Sequence, residues 1–197
     1  AKIKKIKSLL GPLYEVISTF GHIMDLDPKN MALDFDNDFN PTYVFYPEKK
    51  KKANNNAIKS LYKKGVILYI ATDLDREGEF IAESVLRLLK PKDYYRIGFT
   101  SITKDAIMNA IANPELINYE KVHAQQVRRF MDRIFGYSTS PLLSRIPSLQ
   151  SKFDVKKLGC GRVQNIITKI VIDKENEIKE FYNNDQSIKY KGLGMFL

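Results

Sequence analysis

Asp73, Asp75 and Glu77 are spaced two residues apart and follow directly on an apolar run, Val66 to Thr72 (VILYIAT). On an extended chain, side chains two apart point the same way, so the spacing predicts two or three carboxylates converging at the end of that run. Like charges that close repel, and a hard divalent cation relieves them. Mg²⁺ takes one or two carboxylates together with water and phosphate oxygens. The plainer alternative is an acidic helix start, because Asp and Glu in a first turn are favoured by the helix macrodipole. The apolar run before the turn and Gly78 within it weigh towards a ligand site.

The elements around this turn must position it. VILYIAT reads as a strand buried on both faces. Phe80, Ile81, Val85, Leu86, Leu88 and Leu89 mark a helix that ends before Pro91. Tyr95–Phe99 reads as another strand, and residues 103–112 as a helix stopped at Asn113-Pro114. Upstream, residues 2–10 place Ile3, Ile6, Leu9 and Leu10 on one helical face, closed by Gly11-Pro12. Tyr14–Phe20 reads as a strand followed by the turn Gly21-His22. Residues 25–50 look irregular, and 54–64 helical up to Gly65. Strands alternating with helices indicate an α/β layer with a parallel sheet, its ligand expected at the carboxyl ends of the strands. Past residue 117 the pattern changes to two long helices, 119–139 and 162–181, separated by a loop over 144–158. The expected organisation is therefore an α/β domain over 1–117 and a mainly α-helical domain over 118–197.

Composition narrows the function classes. Lys plus Arg number 32 against 23 Asp plus Glu, for a net charge of +9. Such an excess invites an anionic partner, nucleic acid being the commonest. No apolar run approaches the ~20 residues a membrane helix needs. AKIKKIKSLL at the start lacks the continuous apolar stretch of a secretory signal. Cys160 is the only cysteine, which excludes an internal disulfide, fits an intracellular setting, and with two histidines makes a structural zinc site implausible.

Two further clusters carry phosphate chemistry. Arg128, Arg129, Asp132 and Arg133 fall on one helix, with Arg128 and Asp132 at i, i+4, where an ion pair is geometrically natural. Such a pair is either an ordinary surface contact worth a few tenths of a kcal/mol or a device that aims a guanidinium at a phosphate. Arg162 and Gln164 open a helix after Gly159-Cys160-Gly161, where glycines let backbone amides approach an anion.

ATDLDREGE (residues 71–79) resembles the Toprim signature of type IA DNA topoisomerases of the bacterial topoisomerase I kind. The same paired Asp also resembles bacterial primases, some repair nucleases and type II topoisomerases. Neighbouring words narrow the resemblance. GHIMDL (Gly21–Leu26) is similar to that family's Gly-His element, and FTSITKDAI (Phe99–Ile107) to its F-N-E-I-T-x-x-A-I element. HAQQVRRFMDRIFGYSTSPLL (His123–Leu143) is similar to its N-A-Q-Q-A-R-R element. GRVQ (Gly161–Gln164) and the helix through EIKEF (Glu177–Phe181) resemble its G-R-V-Q helix. These words run in family order over roughly residues 1–182.

The resemblance implies a Toprim-type, Rossmann-like parallel sheet followed by a helical region. It implies Mg²⁺ at Asp73, Asp75 and Glu77, and DNA, single-stranded or underwound, as partner of a monomer inside the cell, cytoplasmic or nucleoid-associated; viral and organellar origins stay open. It implies a reaction in which a tyrosine breaks one strand, holds the 5′ end as a phosphotyrosine and reseals it without ATP. Lys2, His22, Arg128 and Asp132 would support the reaction. DNA would be met by His22, Phe99, Thr100, Thr103, Arg128, Arg129, Lys156, Lys157, Gly161, Arg162 and Gln164. Glu79 is expected to be a structural carboxylate, Tyr137 a core residue and Cys160 a small buried one.

Some family features differ. The strand ending in V-E-S-P, with its glutamate, and the R-T-D-S element beside the nucleophilic tyrosine do not occur among these 197 residues; none of the eleven tyrosines has that context. The expectation is that the Toprim sheet lacks its first strand here and that this chain binds metal and DNA without cleaving. Thr100-Ser101 stands where Asn-Glu is usual, Met108 where arginine is common, and Gly159-Cys160 where Ser-Ala precedes GRVQ. The 144–158 loop is longer than usual. Two other readings remain: another Toprim enzyme, a primase or nuclease, and a non-catalytic DNA-binding module.

Overall fold

A computed structural model describes residues 2–62, 65–143, 145–152 and 158–183. The chain divides into two compact units, Ala1–Phe130 and Met131–Leu197, and passes from one to the other inside a long helix.

The first unit begins with α1 (Lys2–Leu10), which ends at Gly11 with a positive φ of 76°. Four short strands follow: β1 (Met24–Leu26), β2 (Leu33–Asp34), β3 (Asn40–Pro41) and β4 (Tyr43–Phe45). They pair antiparallel as β1 with β4 and β2 with β3. Then come α2 (Lys49–Tyr62), β5 (Tyr69–Ile70), α3 (Arg76–Leu89), β6 (Tyr95–Arg96) and α4 (Lys104–Ala112). β5 and β6 pair parallel, with Tyr69 opposite Tyr95 and their rings stacked 5.3 Å apart. The first part of α5 (Tyr119–Leu143) completes the unit. The second unit holds the rest of α5, the single turn α6 (Pro147–Gln150) and α7 (Arg162–Asn183).

The architecture is the α/β class followed by helices, as the alternation of patterns predicts, but the strands are far shorter than the apolar runs suggest. VILYIAT contributes only Tyr69 and Ile70 to a ladder, because Val66 and Ile67 are exposed and β6 is its one partner among the described residues. Tyr14–Phe20 forms no strand. Leu13, Ile17 and Phe20 face solvent, and the segment leaves through positive φ at Phe20 and Gly21. Conversely, the stretch over 25–50 read as irregular carries four strands. Strands of two or three residues are too short to show an alternation.

α3 is the organising helix of the core. Asp75 caps its start by accepting a hydrogen bond from the Gly78 amide, and Lys90 in the left-handed region closes its end. Phe80, Ala82, Val85 and Leu88 on its inner face pack with Ile23, Met24, Ile58, Ile70, Ile117 and Val122. Each large member of this set contributes about 1.5–3 kcal/mol by leaving water. Ile117 and Val122 bring the start of α5 into the same core.

Tyr43 packs its ring against Phe80 at 5.6 Å. Its hydroxyl is buried without a well-formed hydrogen bond among the described residues. Burial pushes the phenol up to about 12, with the nearby Gln126 side chain offsetting only part of the effect. Between an unfolded value of 10 and about 12 the folded chain keeps the proton more tightly, so this residue's contribution to stability is complete below pH 10 and is lost as pH rises through that window. Tyr43→Phe is expected to change unfolding free energy by less than about 1 kcal/mol at pH 8 and to leave the variant the more stable protein at pH 11, measured by urea unfolding at both pH values.

Candidate functional site

The turn between β5 and α3 carries the acidic residues, and its backbone conformation is tightly determined. A Cβ on Gly78 would fall 2.0 Å from the Asp73 carbonyl oxygen, so only glycine fits where α3 crosses the turn. Thr72 Oγ1 donates to the Gly78 carbonyl at 2.7 Å. The Leu74 side chain lies against the bare α-carbon of Gly98, where a Cβ would come within 2.3 Å.

Beneath the turn lies a buried ion pair. Arg96 and Glu79 have side chains only 1% and 4% exposed, with Nη2 2.8 Å from Oε1. Arg96 also donates to the carbonyls of Ile70 (3.2 Å), Thr72 (3.0 Å) and Asp73 (3.1 Å), and to that of Ile97. Glu79 Oε2 accepts from the Asn118 amide at 3.1 Å, just ahead of α5. One guanidinium and one carboxylate thus join β5, the turn, α3, β6 and α5, with their hydrogen-bonding capacity nearly filled.

The other three acids differ in their surroundings. Asp75 is the cap of α3, with Oδ1 2.7 Å from the Gly78 amide. Glu77 Oε2 lies 2.9 Å from His22 Nε2 and accepts from Gln125 Nε2 at 3.3 Å. Asp73 is exposed, and its carboxylate has no hydrogen bond among the described residues. The expected convergence of all three is therefore not what the structure shows: among the described residues no three His, Cys, Asp or Glu side chains gather as a metal-ligand cluster. The reason is local. Capping α3 turns Asp75 onto the helix, while Glu77, two residues later on a helix rather than a strand, points a different way, towards His22 and Gln125. The helix-start alternative accounts for part of this acidity, with Glu77 and Glu79 in the first turn of α3. The donor chemistry nonetheless fits a hard divalent cation. Asp73 and Asp75 are exposed carboxylates at the carboxyl end of a parallel strand, and one or two such groups are what Mg²⁺ draws from a protein.

α5 places a row of donors against this region. Lys121, Gln125 and Arg129, at i, i+4 and i+8, reach the Leu74 carbonyl, the Glu77 carboxylate and the Asp25 carboxylate; the first is 2.9 Å and the last, from Arg129 Nε, 2.8 Å. Sequence reasoning singled out Arg129 of this row but neither Lys121 nor Gln125. Arg96 and Asp25 were missed as well. The only signal for Arg96 was a charged residue between Tyr95 and Ile97 in a strand with apolar neighbours.

Other expected site residues are scattered over the first unit. Lys2 is exposed on α1 and makes no described contact with the turn. Phe99 is half-buried and Thr100 exposed, while Thr103 caps α4 by accepting from the Ala106 amide. Arg128 is exposed and forms no ion pair with Asp132.

In the second unit Asp132 is held by Arg162, at 2.9 Å. This replaces the expected pairing with Arg128, and it ties α5 to the first residue of α7. Arg133 is buried, stacks on the Tyr137 ring at 4.7 Å and donates to its hydroxyl. Tyr137 is exposed, not a core residue. Cys160 is half-exposed, not buried as expected. Hydrogen bonds from Thr139 and Asn165 hold its thiol below the usual range, and its amide donates to Ser140 Oγ at 3.0 Å. Gly161 packs against the Gln164 side chain. Lys156 and Lys157 lie outside the described residues.

The Toprim domain family matches residues 1–102, and a family described as DNA topoisomerase matches residues 116–187. The chain belongs to the Toprim family and, through both matches together, to the type IA DNA topoisomerases. Among its relatives, the prokaryotic-type DNA topoisomerase 1 of Acanthamoeba polyphaga mimivirus is 47% identical over 99% of this chain and 22% of its own length. DNA topoisomerase 1 of Helicobacter pylori is 46% identical over 92% of this chain and 24% of its own. The structure of full-length topoisomerase I from Thermotoga maritima superposes with a TM-score of 0.78 at 42% identity, covering 91% of this chain and 29% of that one. The chain thus spans about a fifth to a quarter of the length of these curated relatives. The family suggests a divalent metal.

The Arg96–Glu79 pair has a measurable signature. Arg96→Met leaves Glu79 buried without its counter-charge and is expected to lower unfolding free energy by about 3–5 kcal/mol. Adding Glu79→Met should recover only part of this, because the Thr72 and Asp73 carbonyls still lack a donor. Urea midpoints of the single and double variants test both statements.

Proposed function

We propose that this chain is the metal- and DNA-holding part of a Mg²⁺-dependent type IA topoisomerase, an intracellular monomer acting on single-stranded or underwound DNA. The enzyme would cleave one strand through a 5′-phosphotyrosine, pass the other strand and reseal. In this reading the attacking tyrosine belongs to another part of the enzyme, and these 197 residues contribute binding and orientation.

The observation that carries the proposal is the exposed Asp73–Asp75 pair on a turn locked from below, in a chain that matches both families along its length. Asp73 and Asp75 would hold Mg²⁺, with Glu77 as a third carboxylate. When bound, the ion supplies positive charge and a template for phosphate oxygens. His22, fixed against Glu77 and packed beside Phe80, would face the DNA at the turn. Arg128 is exposed and available to a phosphate, and Arg129, engaged with Asp25, would lie beside it as a further DNA contact. Arg162, steadied by Asp132, would present its guanidinium to a phosphate at the start of α7, beside Gly161 and Gln164. Lys156 and Lys157 would add charge before that helix. Phe99, Thr100 and Thr103 complete the proposed DNA contacts, and Lys2 adds a cation on α1. The match to the DNA topoisomerase family over residues 116–187 favours this reading over a primase, a nuclease or a non-catalytic DNA-binding module.

Calorimetric titration of MgCl₂ into the chain is expected to show binding that Asp73→Ala/Asp75→Ala abolishes; an unchanged affinity in the double variant overturns the metal assignment. Gel shifts with a single-stranded oligonucleotide are expected to weaken steeply as salt rises and to weaken further in Arg128→Ala/Arg162→Ala. A shift indifferent to salt and to both arginines would count against the DNA contacts.

A further inference from the structure

Two cationic side chains grip three consecutive carbonyls of the acidic turn. Arg96 Nη2 takes those of Thr72 and Asp73, and Lys121 Nζ takes that of Leu74 at 2.9 Å. Leu74 is therefore fixed at both ends, its side chain on Gly98 and its carbonyl on Lys121. Lys121 is itself well anchored. Its amide donates to Asn118 Oδ1 at 3.0 Å, and the Asn118 amide donates to the buried Glu79 carboxylate. The two exposed carboxylates, Asp73 and Asp75, flank the one peptide carbonyl that Lys121 holds. A rotation of the Leu74–Asp75 peptide would change the direction of the Asp75 side chain relative to that of Asp73.

We propose that Lys121 is a positioning residue, pinning the Leu74 carbonyl so that the Asp73 and Asp75 carboxylates keep the directions from which they hold a divalent cation. The inference rests on the proposed metal role of those two residues. It also runs against simple electrostatics. A lysine ammonium near a cation site repels the cation, so a role through charge alone predicts tighter binding once the charge is removed. A positioning role predicts the opposite sign.

Lys121→Met keeps most of the stem and removes the donor. Its expected effect is about a tenfold weaker MgCl₂ affinity, the range lost when an outer support of a metal ligand is removed, with the thermal midpoint unchanged because the side chain is half-exposed. In the metal-free protein, hydrogen exchange at the amides of residues 73–78 should accelerate while the core of α3 stays protected. Unchanged or tighter Mg²⁺ binding together with unchanged exchange overturns the inference, and a fall in thermal midpoint that accounts for the faster exchange reduces Lys121 to a stabilising contact and overturns it too. If wild-type chain and Asp73→Ala/Asp75→Ala bind Mg²⁺ alike, the metal reading fails by itself; the exchange measurement then still decides whether Lys121 fixes the turn.

Discussion

The Arg96–Glu79 pair is the constraint on which the acidic turn depends. Taking two charges out of water costs several kcal/mol each, and their mutual attraction offsets that only when every remaining donor and acceptor is satisfied. Here that condition is met by using the backbone of the turn itself as the acceptor set. Carbonyls of Ile70, Ile97, Thr72 and Asp73 fill the guanidinium's remaining donors, and the Asn118 amide fills the second carboxylate oxygen. The pair and the turn are consequently interdependent: the turn satisfies the arginine, and the arginine orders the turn.

That arrangement separates four neighbouring acids into distinct roles. Glu79 is internal and permanently paired. Asp75 caps a helix with one oxygen, leaving the other towards solvent. Glu77 lies between His22 and Gln125. Asp73 has no such obligation among the described residues. A cluster of like charges that would be costly if all four converged is tolerated because burial, capping and hydrogen bonding draw them apart. What stays exposed is a pair of hard oxygen donors at a strand end, the kind of site a divalent cation and a phosphate share.

The second unit follows a related logic with arginines. Arg133 is buried but stacked on Tyr137 and hydrogen-bonded to its hydroxyl, and Arg162 is steadied by Asp132. In each case an aromatic face or a carboxylate fixes a guanidinium whose planar fork suits bidentate recognition of an oxyanion. The hydroxyl of Ser140 holds Cys160 against α5, while the Cys160 thiol accepts from Asn165 Nδ2 on α7.

The sequence by itself determined the helices and the family. α3, α4, α5 and α7 were legible from apolar spacing and, for α3 and α4, from proline stops, because these signals are local to the chain; that Asp75 and Thr103 cap α3 and α4 emerged only from the structure. ATDLDREGE, HAQQVRRFMDR and GRVQ carried the kinship for the same reason. Only the tertiary structure decided where the carboxylates go. Nothing near Glu79 in the chain says that Arg96 neutralises it, nor that Gln125 and His22 converge on Glu77, since those partners are 17, 48 and 55 residues away. The four strands between Met24 and Phe45 were hidden too, because a ladder of two or three residues is made by its partner and not by its own pattern. Side-chain direction at the turn depends on a helix beginning at Arg76, where a two-residue alternation no longer applies, and on which buried group claims each oxygen first.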